Sequence, residues 1–200
     1  SQKEQPEGYP LPSETHGDFL RRLWVKGEEG IKKWNKWRRE NPSTQVFLVG
    51  CDLNGGELAG VNLTYANLAG AQLWNADLRN ADLMRANLQG AGLMISDLTS
   101  ARLGGINSER ASFEESNLHA ANLGEANLKK AKLVRTNLSD ANLFLTDLED
   151  AKLLEADLRG ARLVRANLRG SDFSRAHVDG GTLIWDCEID CNTKFEGVGL

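Results

Sequence analysis

The residues able to do chemistry in this chain are three histidines, His16, His119 and His177, two cysteines spaced as Cys187-x3-Cys191 with a third at Cys51, and the adjacent acid pairs Glu114-Glu115 and Glu149-Asp150. A histidine beside a carboxylate could shuttle a proton, and paired thiols could cycle a disulfide or supply half of a metal site. Each of these chemistries needs its groups to converge in one pocket. Here the histidines are far apart, the cysteine count is odd with no CxxC pair, and no further His or Cys stands near 187–191 to complete a ligand set. The cysteines therefore read as free thiols, the histidines as solvated surface groups and the acid pairs as facing water. No glycine loop of the phosphate-binding kind is present. The expectation is a protein with no catalytic residues, no cofactor and no metal.

The elements that would have to position a site point the same way. The chain has 200 residues, 40% hydrophobic and 26% charged, with aromatics at only 6%. That suits one main domain whose core is built from regularly stacked aliphatics. Stepping by five from Leu48 to Leu183 gives 28 positions, of which 27 are Leu, Phe or Val. Only Ser108 breaks the column. Two residues before each stands a residue no larger than Thr in 25 cases, 17 of them Ala, with Val46, Val61 and Ile106 as exceptions. Residues two apart in an extended segment point the same way, so the small residue and the Leu face inward and the residue between them faces out. The next small residue follows three positions later, which requires a corner. A period of five fits neither a helix nor a strand, so the pattern predicts a solenoid.

The corner residue two after each Leu is Gly, Asn or Asp at 10 of 14 places in the series 50, 60 to 180, against 3 of 14 in the series 55, 65 to 185. This predicts two corner types alternating every ten residues, because positive φ favours Gly and Asn. At Ser108 volume is exchanged with Ile106, and with Gly104-Gly105 just before, a local bulge or kink is expected over 104–108.

Runs such as Ala76-Asp77-Leu78-Arg79-Asn80 and Ala166-Asn167-Leu168-Arg169-Gly170 resemble the A(D/N)LXX motif of the pentapeptide-repeat family, of bacterial and specifically cyanobacterial type. The resemblance covers about 70% of the chain. It implies an all-β solenoid, a right-handed, four-sided parallel β-helix of about seven coils, roughly 34 Å long at ~4.8 Å per coil.

A solenoid leaves its core open at both ends. Asp18 to Glu40 reads as helix, divided near Gly27 and Gly30 and stopped by Asn41-Pro42, with Phe19, Leu20, Leu23, Trp24, Ile31, Trp34 and Trp37 at helical spacing. The stretch Gly30-Ile31-Lys32-Lys33-Trp34-Asn35-Lys36-Trp37-Arg38 resembles the segment that precedes the solenoid in many bacterial members. This segment also has the basic and tryptophan-rich look of a membrane-surface helix, but an open core needs those aromatics more, and a cap is the expectation. At the other end Trp185, Ile189 and Phe195 are expected to close the last coil. The organisation reads as a flexible segment 1–17, a helical cap 18–45, a repeat region 46–185 and a closing segment 186–200. No run approaches a membrane span and residues 1–18 lack a signal-peptide core, so a soluble, cytoplasmic protein is expected, with an upstream targeting sequence left open because the chain begins at Ser1.

Function must then come from the outer surface. Sorted by position modulo twenty, one wall presents Trp74, Met94, Val134 and Leu154, and the opposite wall presents Met84, Phe144, Val164 and Ile184 with Leu145 and Trp185 alongside. Exposed apolar patches mark contact surfaces, so these walls predict an unidentified protein partner and a scaffold or interaction role, with a homodimer left open. Family members that protect bacterial topoisomerases are thought to imitate DNA through acidic surface. Here the net charge of −4 is mild and basic residues such as Lys129, Lys130, Lys132, Arg135, Arg159 and Arg169 interrupt any acidic track. A DNA-mimic regulator of a type II topoisomerase is thus the alternative, and a targeting region of a larger protein a second one. Direct nucleic-acid binding is disfavoured, because acids interrupt the basic clusters and aromatics are absent from them. No small-molecule substrate is expected.

Overall fold

In the computed structural model, described over residues 8–11 and 13–199, helices α1 (His16–Trp24) and α2 (Gly27–Glu40) precede four parallel ladders of single bridges. Of the segment expected to be flexible, residues 1–7 and Pro12 lie outside the described residues. The ladders start at Phe47, Asp52, Glu57 and Asn62, and each first bridges a residue twenty positions on, such as Phe47 to Asn67 and Asn62 to Asp82. Twenty residues are four five-residue repeats, so four walls enclose one column. Each wall is a single bridged residue between turns; among the described residues no longer strand forms.

The hydrogen bonds explain why the repeat has this composition. In the repeat around Leu68, the Leu68 N–H donates to the Asn87 carbonyl of the next coil at 2.7 Å and the Asn67 N–H to the Val46 carbonyl of the previous coil at 2.9 Å. The Gly70 N–H reaches Ala69's counterpart Gln89, and the Ala71 N–H closes the corner on the Leu68 carbonyl, both at 2.9 Å. One donor remains, the N–H of Ala69, and the Asn67 side-chain Oδ1 accepts it at 3.2 Å. An Asn or Asp before the Leu thus satisfies the group that the ladder leaves over. Arg79 with Asp77 and Met84 with Asp82 repeat the arrangement.

Inside, the leucines from Leu48 to Leu168 and the alanines beside them are sealed from water. The helices cover one end of this column. Phe19, Leu20, Leu23, Ile31, Trp34 and Trp37 are buried there, with Trp34 and Trp37 rings 5.2 Å apart. Burial of these rings leaves them unavailable as the apolar face of a membrane-surface helix. The cap also pairs edge groups of the first coil: Trp34 Nε1–H donates to the Asn62 carbonyl at 2.9 Å, Arg21 to the Asp52 carbonyl at 3.1 Å, and Arg38 to the Thr64 carbonyl at 3.1 Å. Thr15 caps α1, so the helix starts two residues before Asp18, and the division between helices falls at Val25-Lys26.

Three expectations are corrected. The two alternating corner types do not exist: all 26 corner residues from Gly50 to Arg175 are left-handed, with φ between +54° and +70°. Left-handed backbone costs a side-chain-bearing residue roughly 1–2 kcal/mol, and the closing N–H to carbonyl bond together with both ladder bonds holds Arg85, Glu115 and Leu145 there regardless. The excess of Gly and Asn in one series reflects tolerance of the same turn. The bulge at 104–108 is likewise absent. Asn107 bridges both Asn87 and Asn127, and the Ser108 N–H meets the Asn127 carbonyl at 2.7 Å like any leucine in its place. Ile106 and Ser108 are both buried, so exchanged volume inside the column removes any need to distort the chain.

The third correction concerns the far end. Leu183 does not continue the column, because one extra residue enters between Val178 and Leu183 and brings Leu183 out to bridge Arg162, 45% exposed. Asp179 organises this insertion by accepting the N–H groups of Gly160 and Gly181. Register slips once more before Lys194, which bridges Asp172. Ile184 therefore falls in the register of an inward residue instead of an outward one, yet stays 44% exposed at this end of the column. Trp185 points away, 70% exposed, and closes nothing, while Phe195 stacks on Phe173 with ring centroids 5.4 Å apart.

Candidate interaction surface

Because the first five bridges of every ladder span twenty residues, the side chain following each Leu stands directly over its counterpart in the next coil, ~4.8 Å away. On the Asp52 wall this column runs Asn54, Trp74, Met94, Glu114, Val134, Leu154 and Ser174. Trp74 and Met94 are exposed, at 54% and 39%, whereas Val134 and Leu154 are half-buried. The apolar run is not continuous: Glu114 and Glu115 separate Met94 from Val134. Ile95, at the corner beside Met94 and 47% exposed, extends the upper part of this patch. Sorting only the residue after each Leu overlooks it, although the next position faces out too.

On the Asn62 wall the column is Thr64, Met84, Gly104, Gly124, Phe144, Val164 and then, after the register slip, Trp185. Phe144 and its corner neighbour Leu145 are exposed; Met84 and Val164 are half-buried. Tyr65 is also exposed at the capped end of this wall. The eight predicted partner-binding residues thus fall on two walls across the column from each other, and no single patch contains them all.

Charge on the remaining surface is largely paired. Arg79 holds Asp77 and Arg159 holds Asp157, each through 2.6 Å contacts, and these guanidinium groups keep both carboxyls below the usual aspartate range. Lys129 bridges Asp147 and Glu149 at 3.3 and 3.1 Å. Along one corner Glu115, Arg135, Glu155 and Arg175 alternate in sign, with Arg135 bonded to Glu115 and Arg175 to Glu155. Exposed pairs add little stability. Their effect is to cancel the field of either sign along the shaft.

Among the described residues the groups singled out for chemistry lie apart from one another. His16 is half-buried between Trp37 and Phe47, where its Nδ1 accepts the Phe47 N–H at 3.3 Å; burial and then Arg38 depress its pKa. His119 lies 3.7 Å from Asp140 on the outside, and His177 is exposed. Cys51 and Cys187 fill small inward places and burial raises both thiol pKa values; Cys187 also donates to the Leu163 carbonyl at 2.7 Å. All three cysteines are free. A depression of about 480 Å3 between α2 and the Glu57 wall contains Glu28, Asp77 and Arg79, but Glu28 is tied to Lys32 and Asp77 to Arg79. Among the described residues no three His, Cys, Asp or Glu side chains gather as metal ligands, and no helix is long and apolar enough to cross a membrane.

The repeats match the profile described as Pentapeptide repeats, in eight copies over residues 44–73, 62–94, 96–129, 121–153 and 141–180. The chain belongs to the pentapeptide-repeat family. Among solved structures this pentapeptide-repeat protein is similar to HetL, involved in heterocyst differentiation regulation in the cyanobacterium Nostoc sp. strain PCC 7120, with 32% identity over 72% of this chain and 70% of HetL and a TM-score of 0.34. It is similar also to Rfr23 from the cyanobacterium Cyanothece 51142, with 33% identity over 57% of this chain and 64% of that one and a TM-score of 0.39. QnrB1, a plasmid-mediated fluoroquinolone resistance protein, shares 18% identity over 74% of this chain and 80% of its own, at a TM-score of 0.40. That level of likeness concerns the fold alone. No curated protein matches the chain.

Proposed function

We propose that this chain is a non-enzymatic scaffold or interaction module of the cytoplasm, a right-handed four-sided β-helix of about seven coils whose walls receive a protein partner. The contacts are Trp74, Met94, Val134 and Leu154 on one wall and Met84, Phe144, Leu145 and Val164 on the other. The observation that carries this reading is the exposure of Trp74, Met94 and Ile95 side by side on a protein whose aliphatic column is otherwise sealed. Large apolar groups kept in water at adjacent rungs cost solubility and suit a surface covered in a complex. A filled column offers no chamber for a substrate.

Changing Trp74, Met94 and Leu154 to Ser tests the proposal. The fold should persist, and a pull-down from the source organism should lose the proteins that the wild type retains. Unchanged profiles count against it. Gyrase supercoiling with and without the protein addresses the topoisomerase alternative, which the paired charges disfavour: an acidic imitation of DNA needs carboxylates free of the arginines and lysines that hold them here.

A further inference from the structure

The Asn62 wall lacks side chains at two successive rungs. Gly104 and Gly124 stand where Thr64, Met84, Phe144 and Val164 carry theirs, and the result is an open notch of about 280 Å3 with Met84 at one end and Phe144 at the other. Met84 and Phe144 are three rungs apart, roughly 14 Å. Neither glycine is required by the backbone, since neither is left-handed. A Cβ on Gly104 would meet nothing nearer than the Gly124 carbonyl oxygen at 3.7 Å, and one on Gly124 would meet Asn122 Oδ1 at 3.3 Å, slightly tighter than ordinary contact, with Asn142 Nδ2 at 3.5 Å and the Phe144 carbonyl oxygen at 3.7 Å. Both stand at the first turn position after the leucine, where Met84 and Phe144 show that a side chain is accommodated, so the two glycines leave the main chain bare where the geometry does not demand it.

Two charged groups at the rim of the notch have no ion-pair partner among the described residues, while Asn122 and Asn142 on its floor are bonded to each other. Arg85 lies over Gly105 at the rim, its Cγ 3.4 Å from where a Gly105 Cβ would be, and among the described residues it has no carboxylate partner. Glu125, two rungs further on at the same corner, has no cation among them either. This differs from the corner across the column, where Arg135 and Glu115 are paired. The floor offers one free donor as well. Met84, Gly124 and Phe144 give their N–H groups to Asp82, Asn122 and Asn142 side chains, but Arg102 stands where Gly104 would need such an acceptor. Arg102 is itself engaged with Asp82 at 2.7 Å and with the Met84 sulfur.

Resting on the interaction reading above, we infer that this notch is the anchor point for one segment of a protein partner: an extended peptide that lays an aromatic side chain on the bare main chain between Met84 and Phe144, with an acidic residue beside it on Arg85 and a basic residue on Glu125. The end walls supply a thioether and a ring for the aromatic group. The two unpaired charges of opposite sign set the direction of the peptide.

A displayed library of random twelve-residue peptides, panned on the full chain, tests this. Enriched peptides should carry an aromatic residue between an acidic and a basic one. Gly104→Leu, which fills the notch, should weaken them about tenfold or more while the melting profile stays that of the wild type. Arg85→Glu should remove the preference for the acidic neighbour. Should Gly104→Leu disturb the fold, Phe144→Ser removes a wall and must produce the same loss. Peptides that bind all these variants equally, or an enriched set with no aromatic consensus, overturn the inference. Peptides that instead depend on Trp74 and Met94 also overturn it, and they leave the interaction reading standing.

Discussion

Asn35 grips the exposed edge of the first coil at Asn62: its Oδ1 accepts the Asn62 N–H at 2.8 Å, and its Nδ2 donates to the nearby Gly60 carbonyl at the same distance. One amide on α2 thus takes the place that a preceding coil would fill.

Replacing Asn35 with Leu keeps the volume and removes both bonds. Each is worth about 1 kcal/mol. The expected result is a destabilisation of about 2 kcal/mol, read as faster amide exchange confined to residues 60–65 and to α2. Equal protection in both proteins contradicts this role.

Stability of the cap should depend on pH through His16. Burial and Arg38 lower its folded pKa, so the unfolded chain binds the proton more readily. The contribution of neutral His16 is therefore complete above about pH 6.5, the unfolded value, and is lost as the pH falls through the lower folded value. Protonation would also turn the acceptor of the Phe47 N–H into a donor. Thermal melts should show the cap loosening between pH 7.5 and 5, and His16→Gln should flatten that dependence.

Ser108 hides a hydroxyl with no hydrogen-bond partner in an aliphatic column. Ser108→Ala should raise stability by about 1 kcal/mol by removing that group. Ser108→Leu alone should overpack against Ile106, at a cost of about 1–3 kcal/mol. Combining it with Ile106→Ala should recover the loss, a coupling that a double-mutant cycle measures directly.

Leu145 carries a branched side chain at φ +55°. Leu145→Gly should stabilise the protein by about 1 kcal/mol, and the β-branched Leu145→Ile should destabilise it by at least that much. Chemical denaturation of the two variants decides whether corner strain is present.

The aliphatic column and the aromatic cap were legible because burial imposes a strict choice: only Leu-sized groups fill the interior at five-residue intervals, and Trp34 and Trp37 have nowhere else to go. The corners were not, because main-chain hydrogen bonds fix the left-handed turn and residue preference only modulates its cost. That is why Arg85 and Gly90 share one geometry. Leu183 misled for another reason. It keeps the five-residue spacing, but the insertion organised by Asp179 moves it to the outside, and a periodic count is blind to one added residue. Of the candidate surface, Trp74 and Phe144 were readable from wall assignment alone, whereas the notch was not, since it depends on two absent side chains and an arginine that finds no carboxylate.

The bridges that tie residues about twenty apart give the chain a directional way to be born. A segment leaving the ribosome finds its pairing surface already finished on the coil just before it, and the first coil finds one on the two helices made earlier still. Winding can proceed a turn at a time behind synthesis, with no distant part of the sequence to await.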